Sequence, residues 1–185
     1  MQKIIVIYKS KYGRSKKYAR WISEKLECEY IDSNEFDAND LGIYDTIVYG
    51  AGIYAGSLSG IDWVKKFNED IVDKNIIIFT CGITDTLDEE NTTKINEAIN
   101  KEIPENILSK IKIFNFRGGI DYPRLSIMDK AKISVLKKVL ESKNYSNLTV
   151  EERKFAYEYD KSMEFTSKEY IKDLIEYIKD MDEEN

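Results

Sequence analysis

Short apolar runs recur along the chain at intervals that leave room for a helix between them. They cover Ile4–Tyr8, a weaker stretch at Glu29–Ile31, Thr46–Tyr49, Ile76–Phe79 and Ile111–Phe116. Isoleucine and valine dominate most of them, a composition that suits strands buried on both faces of a parallel sheet. The intervening segments carry helical stripes. Tyr18, Ile22 and Leu26 repeat at four-residue spacing. Ile61, Val64 and Phe67 form a second stripe, with Lys65, Lys66, Glu69 and Asp70 turned away from it. Asp88–Lys101 forms a third helix with Ile95 and Ile99 inward. Strand–helix alternation predicts an α/β doubly wound, five-stranded parallel sheet with helices on both faces and right-handed crossovers. No internal repeat or low-complexity linker divides the chain, so residues 1–185 are read as one domain.

After Arg124 the alternation breaks. "RLSIMDKAKISVLKKVLESK" is amphipathic and basic, with six Lys/Arg against two acids between Arg124 and Lys143. "NYSNLT" interrupts it. Helices follow at about Val150–Lys161 and at Ser167–Met181, the latter with a core stripe of Tyr170, Leu174, Tyr177 and Ile178. Residues 124–161 therefore read as a helical insertion before the last helix. From Val150 onward there are twelve acids and six bases. Solvated helix faces are the ordinary account of both biases. For the basic helix a second account stays open: Leu125, Met128, Ile133, Leu136, Val139 and Leu140 lie on a membrane surface, with lysines facing lipid phosphates.

Charge and composition exclude several classes. The net charge of −6 disfavours nucleic acid as a partner. No apolar run approaches the roughly 20 residues of a spanning helix, and "MQKIIVIYKS" has too short an apolar core for a secretory signal. The expected location is cytoplasmic, with peripheral contact to the inner membrane face through 124–143 if the second account holds. The chain has no histidine, which removes Ser-His-Asp and Cys-His catalysis and every His-ligated metal site. Cys28 and Cys81 form no CxxC pair and are expected to stay reduced. Redox or acid–base chemistry must then come mostly from a bound cofactor.

The turns after the strands are where a cofactor would sit, because ligands of such sheets bind at the carboxyl ends of the strands near the switch in strand order. After the first strand comes "SKYGRS". Ser10 and Ser15 offer hydroxyls, and Gly13 lets the backbone curl close to a ligand. The start of a helix presents unpaired amides to an anion. Neither GxGxxG nor GxxxxGK[ST] is present here, so the loop fits a terminal phosphate monoester wrapped by hydroxyls; an ordinary N-cap is the plainer account. After the third strand comes "GAGIYAGSLSG", in which small residues allow close approach to a flat heterocycle and Tyr54 can stack. After the fourth comes "TCGITD". Cys81 reads as a small core residue or a reactive thiol, and Asp85 and Asp121 as acids near the site. Gly118 and Gly119 are expected to end the fifth strand in a further loop. Tyr122 lines the ligand or packs as a hinge.

Ser10, Tyr12, Gly13 and Ser15 match the spacing [ST]-x-[TY]-G-x-[ST] of the flavodoxin family, and the pattern resembles that family over nearly the whole chain. "GAGIYAG" and "RGGIDYPR", Arg117 to Arg124, together with the basic helix, resemble more narrowly the flavodoxin-type, menaquinone-dependent protoporphyrinogen oxidases. Tyr54–Ala55 stand where that group tends to carry a basic residue and an aromatic, and Asp121 stands at a position often basic there. The resemblance implies strand order 2-1-3-4-5 and FMN as cofactor. Ser10, Lys11, Tyr12, Gly13, Arg14 and Ser15 would hold the phosphate. Ala51, Gly52, Ile53, Tyr54, Ala55 and Gly56 would pass along one side of the ring, with Gly56 the peptide that reorients near N5. Cys81, Gly82, Ile83 and Asp85 would meet its pyrimidine end, with Gly119 and Tyr122 nearby. Three functions stay open: an electron carrier or small oxidoreductase with a redox partner protein, a membrane-surface enzyme acting on a porphyrinogen or quinone, and a flavin-free regulatory domain.

Overall fold

The first apolar run forms strand β1 (Ile4–Lys9), buried at its four central positions. The computed structural model describes residues 2–54, 57–144, 146, 148–158 and 160–183. Helix α1 (Arg14–Leu26) returns the chain to β2 (Glu29–Asp32), which pairs parallel with β1. A 3-10 helix at Ala38–Ile43 leads to β3 (Thr46–Tyr54), parallel to β1 on its other side. The short β4 (Ser57–Leu58) folds back antiparallel onto the end of β3. Then come α2 (Ile61–Lys66), β5 (Asn75–Gly82), α3 (Glu89–Asn100), α4 (Glu105–Leu108) and β6 (Ile111–Arg117). The five parallel strands run in the order β2-β1-β3-β5-β6, which is the expected doubly wound arrangement.

Alternation along the strands fills two cores. Ile5 and Ile7 join Ile47, Tyr49, Ile76 and Ile78 under Trp63 and Val64 of α2 and Ile99 of α3. Val6 and Tyr8 join Val48, Ile77, Phe79 and Phe116 on the opposite face. That face is covered by Tyr18, Ala19 and Ile22 of α1 and by Leu174, Ile175 and Ile178 of α7 (Lys172–Glu183). Burying a branched side chain of this kind stabilises the fold by about 1.5–3 kcal/mol, so both faces contribute.

Contacts divide the chain into two compact units, Met1–Gly118 with Thr166–Asn185, and Gly119–Phe165. The second unit contains β7 (Gly119–Asp121), a 3-10 turn at Tyr122–Arg124, α5 (Ile127–Ser142), α6 (Val150–Glu158) and β8 (Ser162–Glu164). Strands β7 and β8 pair antiparallel, Ile120 opposite Met163, and Ser162 Oγ donates to Asp121 Oδ1 at 2.9 Å. Ser126 caps α5 by accepting the Asp129 amide at 3.2 Å.

Several expectations need correction. Strand β3 does not stop at Tyr49 but runs to Tyr54, so Gly50–Tyr54 is strand and not a glycine-rich loop. Strand β5 likewise continues to Gly82. Gly119 belongs to β7 and not to a loop, because its backbone pairs with Glu164. Among the described residues, no helix is long and apolar enough to cross a membrane.

Candidate functional site

Parallel pairing fixes which loops meet. Lys9 lies opposite Ala51, Gly52 opposite Cys81, and Gly82 opposite Arg117. The turns after β1, β5 and β6 and the tip of β3 therefore share the carboxyl edge of the sheet.

Gly13 is the N-cap of α1 with φ 86°, a conformation that disfavours any residue with a Cβ. Ser10 Oγ accepts the Gly13 amide at 3.1 Å, which curls the loop and leaves the hydroxyl proton to donate elsewhere. The Lys17 amide closes the first turn onto the Gly13 carbonyl at 2.9 Å. No side chain caps this helix and its first turn carries no acid. By contrast α2, α3, α4 and α5 each place an acid in the first turn, where it offsets the positive end of the helix dipole. Helix α1 has Arg14, Lys16 and Lys17 there instead, with Ser15 buried at 4% exposure.

The loop cations differ in their neighbours. Lys17 Nζ donates to Thr166 Oγ1 at 2.7 Å and lies 5.0 Å from the Trp21 ring centre, so it is engaged away from the loop. Lys11 lies 5.4 Å over Tyr12. The hydrogen bond with Tyr8 raises the pKa of Lys16, so that group stays an ammonium.

At the tip of β3, Ala51 and Gly52 are buried, and Ile53 and Tyr54 are half-buried. The Tyr54 ring lies back over its own strand. A Cβ on Gly52 would stand 2.9 Å from Tyr54 Cε2. Ala55 and Gly56, including the peptide expected to reorient near the ring, lie outside the described residues.

The β5–α3 turn is held from both ends. Asp85 Oδ1 accepts the Leu87 amide at 3.0 Å, and the Asp85 carbonyl accepts Asn91 Nδ2 at 3.1 Å. Asp85 Oδ2 faces Arg117 Nη1 at 3.4 Å. Cys81 is buried, and the Gly118 amide donates to the Gly82 carbonyl at 2.5 Å. A Cβ on Gly118 would lie 2.7 Å from Cys81 Sγ and 3.5 Å from Arg14 Cδ. Arg14 at the start of α1 and the ends of β5 and β6 thus meet around Gly118. Gly119 and Tyr122 belong to the second unit, where Lys130 Nζ stands 5.6 Å from the Tyr122 ring centre.

Two residues at this edge are not singled out as site residues by the pattern of the chain: Tyr18 and Arg117. The buried Tyr18 hydroxyl donates to the Arg117 carbonyl at 2.6 Å and accepts the Ser167 amide at 3.2 Å. The only signals in the sequence are a tyrosine inside the first helical stripe and a cation at the end of a strand. Among the described residues, no group of His, Cys, Asp and Glu is placed to hold a metal ion.

A family model for the flavodoxin domain matches residues 5–147. The chain belongs to the flavodoxin domain family. Solved structures similar to this chain include a flavodoxin from the domain Archaea, 14% identical over 70% of this chain and 89% of that one, with a TM-score of 0.41. A flavodoxin, WrbA-like protein from Agrobacterium tumefaciens is 19% identical over 70% of this chain and 88% of that one, at 0.42. Oxidised flavodoxin 2 from Bacillus cereus is 21% identical over 62% and 84%, at 0.41. No curated protein matches this chain.

Proposed function

We propose that this flavodoxin-domain chain binds FMN at the carboxyl edge of its sheet and passes electrons through it, as a carrier or small oxidoreductase working with a redox partner protein. The observation that carries the reading is the start of α1, which has a left-handed glycine cap, no capping side chain, no first-turn acid, and cations in their place. A dianionic phosphate is the group that such a terminus suits. FMN, when bound, supplies the redox chemistry. The chain's own residues bind and orient it. The Ser10 and Ser15 hydroxyls and the first-turn amides donate to the phosphate, and Lys11 and Arg14 add positive charge. The β3 tip, with Tyr54, and the Cys81–Asp85 turn form the walls for the ring. On this reading the chain is one flavodoxin-like domain with residues 124–161 inserted before the last helix.

The test is the visible spectrum of the purified protein and FMN titration by flavin fluorescence. Each charge-assisted hydrogen bond is worth about 1.5–3 kcal/mol, so Ser10→Ala and Ser15→Ala should each weaken FMN binding by about tenfold or more. Unchanged affinity in the double variant would sink the assignment. A colourless protein that ignores added FMN would favour a flavin-free regulatory domain.

A second reading, a membrane-surface flavoenzyme acting on a porphyrinogen or quinone, is favoured by α5. Ile127, Ala131, Val135 and Val139 recur every four residues on its exposed side, Ile127 at 87% and Val135 at 61% exposure. Met128 joins them, and Lys132 and Lys138 are exposed alongside. The exposed stripe differs from the one expected from the sequence, since Ile133 is half-buried and Leu140 buried. An apolar stripe edged with lysines fits an anionic bilayer. Co-sedimentation with anionic vesicles that is lost in Val135→Glu supports this reading; equal partition in both proteins refutes it.

A further inference from the structure

Arg117 ends β6 opposite Gly82, and its side chain turns back onto the neighbouring loop. Nε donates to the Ile83 carbonyl at 3.3 Å, and Nη1 meets Asp85 Oδ2 at 3.4 Å. The two side chains are only 17% and 26% exposed, so water screens the pair less than it would a surface one. The other carboxylate oxygen of Asp85 holds the turn through the Leu87 amide. The carbonyl of Arg117 accepts the Tyr18 hydroxyl, which ties the same residue to the helix that begins at Gly13. One residue thus links the β5–α3 turn to the cradle at the start of α1.

We infer that Arg117 is a positioning residue for the flavin: it sets the Gly82–Asp85 turn and offsets the charge of Asp85 beside the pyrimidine end of the ring. The inference rests on the FMN reading above. Its electrostatic half has a sign that a merely structural role does not share. Reduction adds electron density to the ring. With Arg117 removed, the Asp85 charge opposes that addition; with Asp85 neutralised, the Arg117 charge favours it.

The experiment compares wild type, Arg117→Gln, Arg117→Lys, Asp85→Asn and the double variant Arg117→Gln/Asp85→Asn. FMN affinity is read by fluorescence titration, apoprotein stability by thermal unfolding, and midpoint potential by anaerobic reductive titration. Arg117→Gln should weaken FMN binding by up to about tenfold, because the turn contact that it removes must be made up for when the ring binds. It should also move the potential negative. Asp85→Asn should move it positive, and the double variant should return towards wild type. Arg117→Lys keeps the charge but not the two-point grip, so it should hold the potential while losing affinity. This variant also carries the test if Arg117→Gln does not fold. Potentials that move in the same direction in both single variants, or do not move in any, overturn the inference while leaving FMN binding intact. A wild-type chain that takes up no FMN overturns both readings together.

Discussion

Gly50→Ala puts a methyl group where an aromatic ring already lies. Gly50 sits in β3 beside Phe79 of β5, and the Phe79 ring leans across it. A Cβ built on Gly50 falls 1.8 Å from Phe79 Cζ, 2.0 Å from Cε1 and 2.4 Å from Cε2. Carbon atoms in contact sit at about 3.5–4.0 Å, so the ring must retreat by well over an ångström. It has nowhere to go. Phe116 stacks on it at 5.3 Å between ring centres, and Tyr18 lies against both rings; all three are buried. Overpacking of this kind costs about 1–3 kcal/mol, and a wedged ring places the cost near the upper end. At roughly 2–4 °C per kcal/mol for a chain of this size, the midpoint of thermal unfolding falls by about 6–12 °C. The decisive assay is a double-mutant cycle in urea. Phe79→Val deletes the three clashing carbons at its own cost of about 2–4 kcal/mol. In that background Gly50→Ala should cost less than about 1 kcal/mol, a coupling of about 2 kcal/mol. A Gly50→Ala variant within about 0.5 kcal/mol of wild type, or two costs that simply add, refutes the reasoning.

Gly13→Ala meets no atom within 4 Å, so its whole cost is the φ of +86°; urea unfolding should show a loss of about 1–2 kcal/mol, with Gly13→Asn milder. Burial, helped by the charge of Glu29, raises the Cys28 thiol from 9.0 to about 11. The unfolded chain therefore releases this proton first, and stability should fall between about pH 9 and 11 through this group, more steeply in wild type than in Cys28→Ala. Asp88 accepts the amides of Glu90 and Asn91 at the start of α3, and Asp88→Ala should lower stability by about 1 kcal/mol in chemical denaturation.

The strands β1, β3, β5 and β6 were legible because runs of isoleucine and valine bury on both faces, and α1 because Tyr18, Ile22 and Leu26 repeat. The far end of β3 was not. Glycine usually weakens a strand, so Gly50 and Gly52 read as the start of a loop. They continue the strand because rings lie over them, Phe79 over one and Tyr54 over the other. Strands β7 and β8 have three residues each, and their partners are some forty residues apart in sequence, beyond the reach of any local pattern. In the candidate site, the left-handed position at Gly13 could be read from glycine between hydroxyl-bearing residues. The Arg117–Asp85 contact could not, because it exists only once β5 and β6 lie side by side.

The Tyr18 hydroxyl has one further consequence. Arg117, the last residue of the sheet, and Ser167, which begins the closing helical segment, are both bonded to that single oxygen. The stretch between them leaves and rejoins the sheet at neighbouring points. A few residues bridging Arg117 to Ser167 should therefore let the remainder close up, and a longer detour should leave the strands where they are.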